Sequence, residues 1–343
     1  MPDNGSIAIW CVPRQGSNDT ELEAHFNYWR ISGDEGRRRS RGGTIQDFVE
    51  VGLMLTDVSQ IESICIYIPA TLQRDMIEDC SPYLATPEFA QGIFNEVLAI
   101  TSPTRGGVRC VALLDQDDNI FCRVHTFSSS ARSIDPTEIG IAHEHGGTVV
   151  TITRTAINEA CNRASPPARS YFRLRLKLKG KSENPFIKTI PTPDRLLHSG
   201  FHEIEYIDFR VNEARTLPPP IESRMRSERA RGGAVRLKLI AFLTAVPVHA
   251  ELSVSNTPSH KMRLLEPNWT GYIGHAIPEG MVVYHWKREE AADRAIADFS
   301  AFVKLETRRS GKAILTRYLF VAFLIGLIGN LVAAAVLAII FGG

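Results

Sequence analysis

The sequence has almost no excess of charge of either sign. Its 39 lysines and arginines are balanced by 38 aspartates and glutamates, which leaves a formal net charge of +1. A chain so balanced has no overall field that would attract a polyanion. Its densest basic run, residues 224–238, also lacks the interleaved aromatic side chains on which bases stack. We therefore do not expect a nucleic-acid partner.

Familiar catalytic and nucleotide-binding motifs are absent as well. The chain contains no G-x-x-x-x-G-K-[ST], no G-x-G-x-x-G after a strand, no G-x-S-x-G and no H-E-x-x-H. These absences weigh against P-loop NTPases, dinucleotide-dependent enzymes, serine hydrolases of the elbow type and zinc peptidases. We expect a binding protein rather than an enzyme, and we predict no cofactor.

Cysteine is scarce and has no redox or metal-site spacing. The chain has 6 cysteines, none of them in a C-x-x-C pair. Scattered cysteines within apolar runs are typical of reduced, buried side chains in a cytoplasmic protein.

Charged residues are missing from the whole C-terminal stretch. Residues 318–343 contain no Asp, Glu, Lys, Arg or His, and Tyr318 to Phe341 is nearly all apolar. As a helix this run would be about 36 Å long, enough to cross a hydrocarbon core of about 30 Å. The sequence therefore predicts a transmembrane helix over 318–341.

Basic residues flank only the N-terminal side of this span. Arg308, Arg309, Lys312 and Arg317 precede it, and the start of the chain has no basic region of the secretory type. We expect a tail-anchored, single-pass protein whose N-terminal body lies in the cytoplasm, with a plasma or inner membrane preferred.

The predicted span has a face of small residues with one strongly polar side chain, Asn330. Small residues let helices approach closely, and an asparagine within a membrane can bond across their interface. This pattern predicts a homo-oligomer formed through the span. The alternative is that small residues are common in membrane helices and that Asn330 bonds locally. The face comprises Ala322, Gly326, Gly329, Asn330, Ala333, Ala334 and Ala338.

Upstream of the span, residues 288–312 have apolar side chains at helical spacing. Ala292, Ile296, Phe299 and Val303 follow an i, i+4, i+7, i+11 pattern. We predict an amphipathic stalk helix that links the body to the membrane.

The remainder of the chain is dominated by β-branched and aromatic runs. The expected fold class is α+β: a predominantly antiparallel, sandwich-like β body with a few peripheral helices, plus the C-terminal membrane helix. Two hairpins are predicted, at 115–119 and 145–147. The predicted strands are 26–32, 47–56, 61–69, 108–114, 120–127, 140–143, 148–154, 171–179, 204–212, 235–246 and 250–255, and the predicted helices are 71–78, 87–98 and 154–163.

A stretch rich in proline, glycine and charge, residues 216–233, resembles a linker or long exposed loop. We place a domain division near residue 225. The predicted units are 1–225, a β-rich domain; 226–287, a second β-rich unit or a continuation of the first; the stalk 288–312; and the span 318–341.

Strict alternation makes 171–179 the most regular local pattern. Arg173, Arg175, Lys177 and Lys179 share one face of this predicted strand. A ribbon of cations suits an anionic ligand, an anionic lipid or an acidic protein partner. The alternative is a solubilising face paired with acidic neighbours.

A second polar strand ends in Asp208, Arg210 and Asn212. These side chains predict either a ligand pocket or an internal set of salt bridges. The pocket would also serve the rival function, a membrane-anchored hydrolase acting on a phosphate-bearing substrate.

Histidines offer only a weak metal site. His143 and His145 would share a strand face, and His198 and His202 lie further along the chain. Because a hairpin tip next to His145 accounts for exposed polar residues without a metal, we predict none.

The architecture favours a cytoplasmic module that binds a ligand or partner and couples to a self-associating span. Such a plan suits a signal-gated membrane effector in stress or defence, an analogy at the level of architecture. A passive membrane-localised scaffold is the remaining alternative.

Overall fold

The computed structural model describes residues 5–14, 20–31, 46–101, 110–130, 133–161, 168–180, 183–190, 202–230, 235–256, 258–274, 280–291, 294–308 and 312–341. Its strands are β1 Ala8–Pro13, β2 Glu21–Trp29, β3 Phe48–Leu55, β4 Ile61–Ile68, β5 Ile77–Asp79, β6 Ala99–Thr101, β7 Cys110–Leu114, β8 Ile120–His125, β9 Ser129–Ser130, β10 Ser133–Ile134, β11 Ile139–Glu144, β12 Gly147–Ile152, β13 Ser170–Lys177, β14 Ile187–Ile190, β15 His202–Val211, β16 Arg236–Pro247, β17 Ala250–Ser255, β18 Lys261–Leu264, β19 Met281–Glu289 and β20 Phe299–Arg308. Its α-helices are α1 Pro87–Phe94, α2 Arg154–Cys161, α3 Pro219–Ala230, α4 Thr270–Ile273 and α5 Lys312–Phe341.

One large sheet organises the body. Nine of its strands follow the order β18-β19-β16-β2-β3-β13-β8-β7-β6, and β5 also pairs with β13. Most neighbours are antiparallel, with parallel pairing at β16–β2 and β13–β8. The prediction of a mainly antiparallel β body with a few helices and one apolar C-terminal helix is confirmed.

Two four-stranded sheets enclose a core with the large sheet. Their orders are β1-β4-β12-β11 and β14-β15-β20-β17. Side chains alternate along each strand, so one face of the large sheet is apolar, with Phe26 and Phe242 among its buried residues. Phe209 of β15 stacks on Phe242 with ring centroids 4.1 Å apart and contacts Phe26 at 5.1 Å. All three sheets contribute to this one apolar interior.

The predicted linker is wrong over its central part. Residues Pro219–Ala230 form α3, which begins with two prolines, a residue type that the first helical turn tolerates. Ile221 and Met225, one turn apart, are buried beside β1. The next strand, β16, then pairs with β2 over most of its length. Strands from both sides of residue 225 therefore share one sheet.

The predicted stalk helix is also wrong. Residues 281–289 and 299–308 form β19 and β20, and Ala292 lies outside the described residues. In β20 the alternate residues Ala301, Val303 and Leu305 are buried, because one face of that strand meets the core. Apolar residues at i and i+4 in this stretch fit the period of a helix by chance. The same stretch also alternates with period two, which is typical of a strand.

Local signals from turns were more reliable. Both predicted hairpins form, and His145 and Gly146 have the positive φ values, 49° and 78°, of a two-residue turn. The helix predicted at 87–98 is confirmed over Pro87–Phe94 as α1, and the one predicted at 154–163 is confirmed over Arg154–Cys161 as α2. The helix predicted at 71–78 is wrong, because Ile77–Asp79 instead adds to the edge of β13.

Three residues lie between the end of β20 and the start of the C-terminal helix α5. Tyr318–Phe341 within it has a mean hydropathy of 2.6, and none of its hydrophobic window is buried against the body. Its length and composition match a membrane-spanning helix.

Candidate functional site

The basic strand β13 does not present an exposed cationic ribbon. Arg173 and Arg175 are 0% and 3% exposed, so that part of the prediction is wrong. Lys177 and Lys179 at the end of the ribbon are partly exposed and pair with Glu78 and Glu183. The two arginines lie on the face of the large sheet opposite the apolar core.

Glu50 of β3 is the anion that both buried arginines share. Arg173 Nη2 donates to Glu50 Oε2 at 2.6 Å, and Arg175 Nε donates to Oε1 at 3.0 Å. The Tyr272 hydroxyl donates a further bond to Oε2 at 2.9 Å. Burial by itself would raise the pKa of Glu50, but the charges of Arg173 and Arg175 outweigh it and hold the pKa below its usual value.

Tyrosine and asparagine side chains complete the network around Arg173. Its Nη1 donates to the Tyr171 hydroxyl at 2.8 Å and its Nε to the Tyr272 hydroxyl at 2.9 Å. With its amide oxygen facing Arg173, Asn27 accepts from Nη2 at 2.7 Å. Satisfied donors of this kind allow a guanidinium to be buried.

Gly52, which pairs with Arg173 across β3 and β13, makes room for this network. A Cβ at Gly52 would lie 1.9 Å from the Tyr171 hydroxyl oxygen and 3.1 Å from Arg173 Nη1. The absence of a side chain there lets the tyrosine cross the strand and reach the arginine.

A cleft of about 1000 Å³ opens beside this network on the same face of the sheet. Its floor is formed by β2, β16 and β19, and its walls by α1 and by the segment 260–269. We call it the sheet cleft. Floor residues are Glu23, His25, Asn27, Leu239, Ala241, Leu243, Val283, His285 and Lys287, and wall residues include Phe94, Phe121, Arg169, Lys261 and Trp269.

Two imidazoles on the cleft floor are neutral at physiological pH. Burial lowers the pKa of His25 to about 3, and the charge of Arg173 lowers it further. Burial also lowers the pKa of His285 to about 4, with contributions from His260 and Lys261. The two histidines therefore lie in a partly desolvated cleft, where nearby positive charges favour the neutral form of each imidazole ring.

Four acidic side chains line the cleft, Glu23, Glu88, Glu96 and Glu266, and Glu23 lies next to His25. Arg169 Nη1 contacts its Oε1 at 3.2 Å, and His25 Nε2 lies 4.0 Å from its Oε2. Burial raises the pKa of Glu23, although Arg169 opposes the effect. The His25 Nδ1 atom lies 3.4 Å from the Tyr171 hydroxyl, which connects the cleft to the buried Arg173 network.

The Asp208 strand forms salt bridges within itself. Arg210 bonds to Asp208 at 2.6 and 2.8 Å and contacts Glu213 at 3.3 Å. Asn212 has a positive φ of 56°, and its Oδ1 accepts from the Ile9 amide. These contacts are those of the internal salt-bridge alternative, and the three residues are not among those lining the sheet cleft.

The histidines considered for a metal are dispersed. His143 Nδ1 lies 3.3 Å from the Thr148 hydroxyl, and His145 is in the β11–β12 turn. His202 begins β15 in a different sheet, and His198 lies outside the described residues. Within the part of the chain that the structure describes, no group of three or more His, Cys, Asp or Glu is arranged to hold a metal ion.

The residues of the predicted association face all lie on α5. Their spacing of three and four residues places them on one side of the helix. Gly326 and Gly329 would have open space around an added Cβ in this single chain. Self-association stays a prediction.

Sequence reasoning missed the sheet cleft, although one signal pointed to it. Glu23, His25 and Asn27 alternate with the buried Leu22, Ala24 and Phe26, and such alternation indicates a strand with a polar second face. The strand was predicted to begin only at Phe26. The other two floor strands lie more than 200 residues away in the sequence: β16 pairs with β2, and β19 pairs with β16. Their assembly beside β2 could not be predicted locally.

No protein-family model matches the chain, and no curated protein is significantly similar to it in sequence.

Proposed function

We propose that the protein is a membrane-anchored binding module whose sheet cleft holds a small, phosphate-bearing anionic ligand. The observation that carries the proposal is the sheet cleft of about 1000 Å³, with His25 and His285 on its floor and both cationic and acidic side chains in its lining. The cations are Arg169, Lys261, Arg263 and Lys287, and the acidic residues are Glu23, Glu88, Glu96 and Glu266. Concave sites with an apolar floor and a few convergent polar groups are typical of small-molecule binding.

An anion would gain from the groups already in place. Lys261 and Lys287 lie close enough to affect His285, and Arg173 and Arg169 affect His25. The same charges would attract a phosphate, while neutral imidazoles can donate ring N–H bonds to it. Leu239, Ala241 and Leu243 on the floor offer an apolar surface for the rest of the ligand.

The low pKa of His25 favours a binding role over proton transfer. A general base works best when its pKa lies near the operating pH, because it must both accept and release a proton. With a pKa of about 3, His25 would hold a proton poorly at pH 7. We therefore propose that His25 contacts the ligand and that the Tyr171 hydroxyl orients its ring.

The route from body to membrane runs through a sheet. Three residues separate β20 from α5, and we propose that movement of that strand is passed on to the span. Buried Arg30, next to the end of β2, bonds Glu205 of β15, the neighbour of β20, at 3.0 Å. We propose that a ligand bound beside β2 shifts the position of β15 and β20 through this contact. This connection would then have the coupling role that the sequence analysis gave to a stalk helix.

Isothermal titration of the detergent-solubilised full chain with ATP and with inorganic pyrophosphate tests the ligand class. We expect both to bind, and ATP more tightly because its base and ribose can cover the apolar floor. Reversal of two cleft cations, Lys261→Glu with Lys287→Glu, should weaken binding about tenfold or more, since tenfold corresponds to about 1.4 kcal/mol, the size of one charge-assisted hydrogen bond.

A matched control has the same change in net charge outside the cleft. Lys188 and Arg215 are exposed and remote from the cleft lining. Lys188→Glu with Arg215→Glu should leave both affinities within about twofold of wild type, because screened charges at a distance contribute little. Equal losses in the two double variants, or no heat from either probe with wild type, would contradict the proposed ligand class.

We further propose that the span associates with copies of itself through its small face. Gly326→Ile would separate the backbones, and Asn330→Leu would remove a bond worth about 1 kcal/mol. In a reporter assay of membrane-helix association, we expect both variants to lower the signal. Ile328→Leu, a conservative change on the opposite side of the helix, serves as the control, and equal signals from all four spans would refute association through this face.

A further inference from the structure

A few large apolar side chains remain exposed on the body. Among the described residues outside α5 they are Val97, Ile190, Val248, Met262 and Leu264. Ile190 is 46% exposed and Val248 is 48% exposed, and both lie at the end of the body from which α5 leaves.

Strand register places these two side chains near the exit of the chain. Ile190 ends β14 and pairs with Ile204, which in turn pairs with Glu306 of β20. Val248 is in the β16–β17 turn, two residues before Ala250, which pairs with Thr307. Both therefore lie within about three residues, or roughly 10 Å along a strand, of the end of β20 at Arg308.

The distance from this end to the bilayer is short. Residues 312–317 form the first helical stretch of α5 before the apolar run, and six residues of helix rise about 9 Å. The three residues between β20 and α5 can add at most about 10 Å. The polar interfacial layer of a bilayer is itself about 5–8 Å thick on each side. A tether of at most about 20 Å keeps this end of the body within reach of the headgroups.

We propose that Ile190 and Val248 are membrane-contact residues that enter the interfacial layer of the bilayer crossed by α5. The occupant of this surface is lipid, because the surface continues directly into the span. Lys188 and His249, which are exposed beside the two apolar side chains, suit the headgroup level. The body would then rest on the membrane in a fixed orientation.

Fluorescence quenching in vesicles provides the test, with the full chain in phosphatidylcholine whose acyl chains are brominated close to the headgroup. The four native tryptophans, Trp10, Trp29, Trp269 and Trp286, are all buried in the body. An additional tryptophan is introduced by Ile190→Trp, by Val248→Trp, or by Val97→Trp as the control.

Val97 is a matched control because it is exposed and apolar but lies at the opposite end of the body. It precedes β6, which pairs with β7, and β7 in turn pairs with β8. Strand β8 pairs with Ser170 at the start of β13. Through β3 and β2, Ser170 aligns with Leu237, ten residues before the end of β16 at Pro247. Ten residues of strand extend about 33 Å.

The fluorescence added by Ile190→Trp and by Val248→Trp should be blue-shifted and should lose about half its intensity to the bromines, because an indole settles at the interface. The fluorescence added by Val97→Trp should be unaffected. Added fluorescence that is unquenched at all three positions would overturn the proposal. A blue shift without quenching at 190 and 248 would also overturn it, because the surface would then be covered by protein.

Discussion

The variant Glu50→Ala should lose about 3–5 kcal/mol of the free energy of unfolding. Removal of the carboxylate leaves Arg173 and Arg175 buried without their shared counter-ion, and an uncompensated buried charge costs this much. Denaturant unfolding of the detergent-solubilised chain, followed by tryptophan fluorescence, measures the loss. The sheet cleft should be disturbed at the same time, because Arg173 also fixes Tyr171 beside His25.

Glu78→Ala is the matched control for this prediction. Glu78 also contacts Arg175, at 3.7 Å, but its side chain is 30% exposed. Partly exposed ion pairs contribute at most about 1 kcal/mol. Equal losses from Glu50→Ala and Glu78→Ala would show that the buried network is not what stabilises this face of the sheet.

The same network predicts how acid affects stability. Because the pKa of Glu50 is lowered in the folded state, its ionised form contributes stability above the unfolded value, which is about 4.3. That contribution is lost as the pH falls through the lower, folded pKa. In the Glu50→Gln variant, the free energy of unfolding should change less with pH in this acidic range than it does in the wild type. Near neutral pH, the stability curves of the two proteins should run parallel.

A second large effect is expected in the span. Arginine at the centre of a membrane helix costs about 2.5–3.5 kcal/mol per residue on insertion scales. Ile328→Arg with Leu331→Arg should therefore move most of the protein from the membrane fraction to the soluble fraction or to degradation. Fractionation of cells with detection of an N-terminal tag measures the shift.

Leu315→Arg is the control for the span. It adds a charge to α5 just before Tyr318, on the flank that is already basic, where a cation is tolerated. We expect this variant to remain in the membrane fraction. Retention of the double-arginine variant at wild-type levels would mean that α5 does not cross the bilayer.

Features set by local physics could be predicted from the sequence. The uncharged run at Tyr318–Phe341, the His145–Gly146 turn and the strands around Ile64 and Phe242 all follow from composition, φ preferences or apolar runs. Predictions of secondary structure failed where the same apolar residues fitted both a helical and a strand period, as in β20. There the neighbours β15 and β17 selected the strand, and those partners are not visible in a local window.

The candidate site was harder to predict because long-range pairing creates it. The alternating cations of β13, taken alone, predict an exposed strand face. In the structure, Glu50 of β3 and Tyr272 of α4 form the network that buries the first of these cations. The floor of the sheet cleft depends on the parallel pairing of β2 with β16, which brings His25 beside Ala241. The residue types predicted a cluster of cations, whereas the topology decided which charged side chains line the sheet cleft.

Native mass spectrometry of the full chain, released from detergent micelles, tests the binding function most directly. Wild type should carry the added mass of a small acidic molecule. Ala241→Trp, which fills the cleft floor, should lack this mass, and Gln116→Trp, in the exposed β7–β8 turn, should keep it. Identical spectra for the wild type and Ala241→Trp would contradict ligand binding in the sheet cleft.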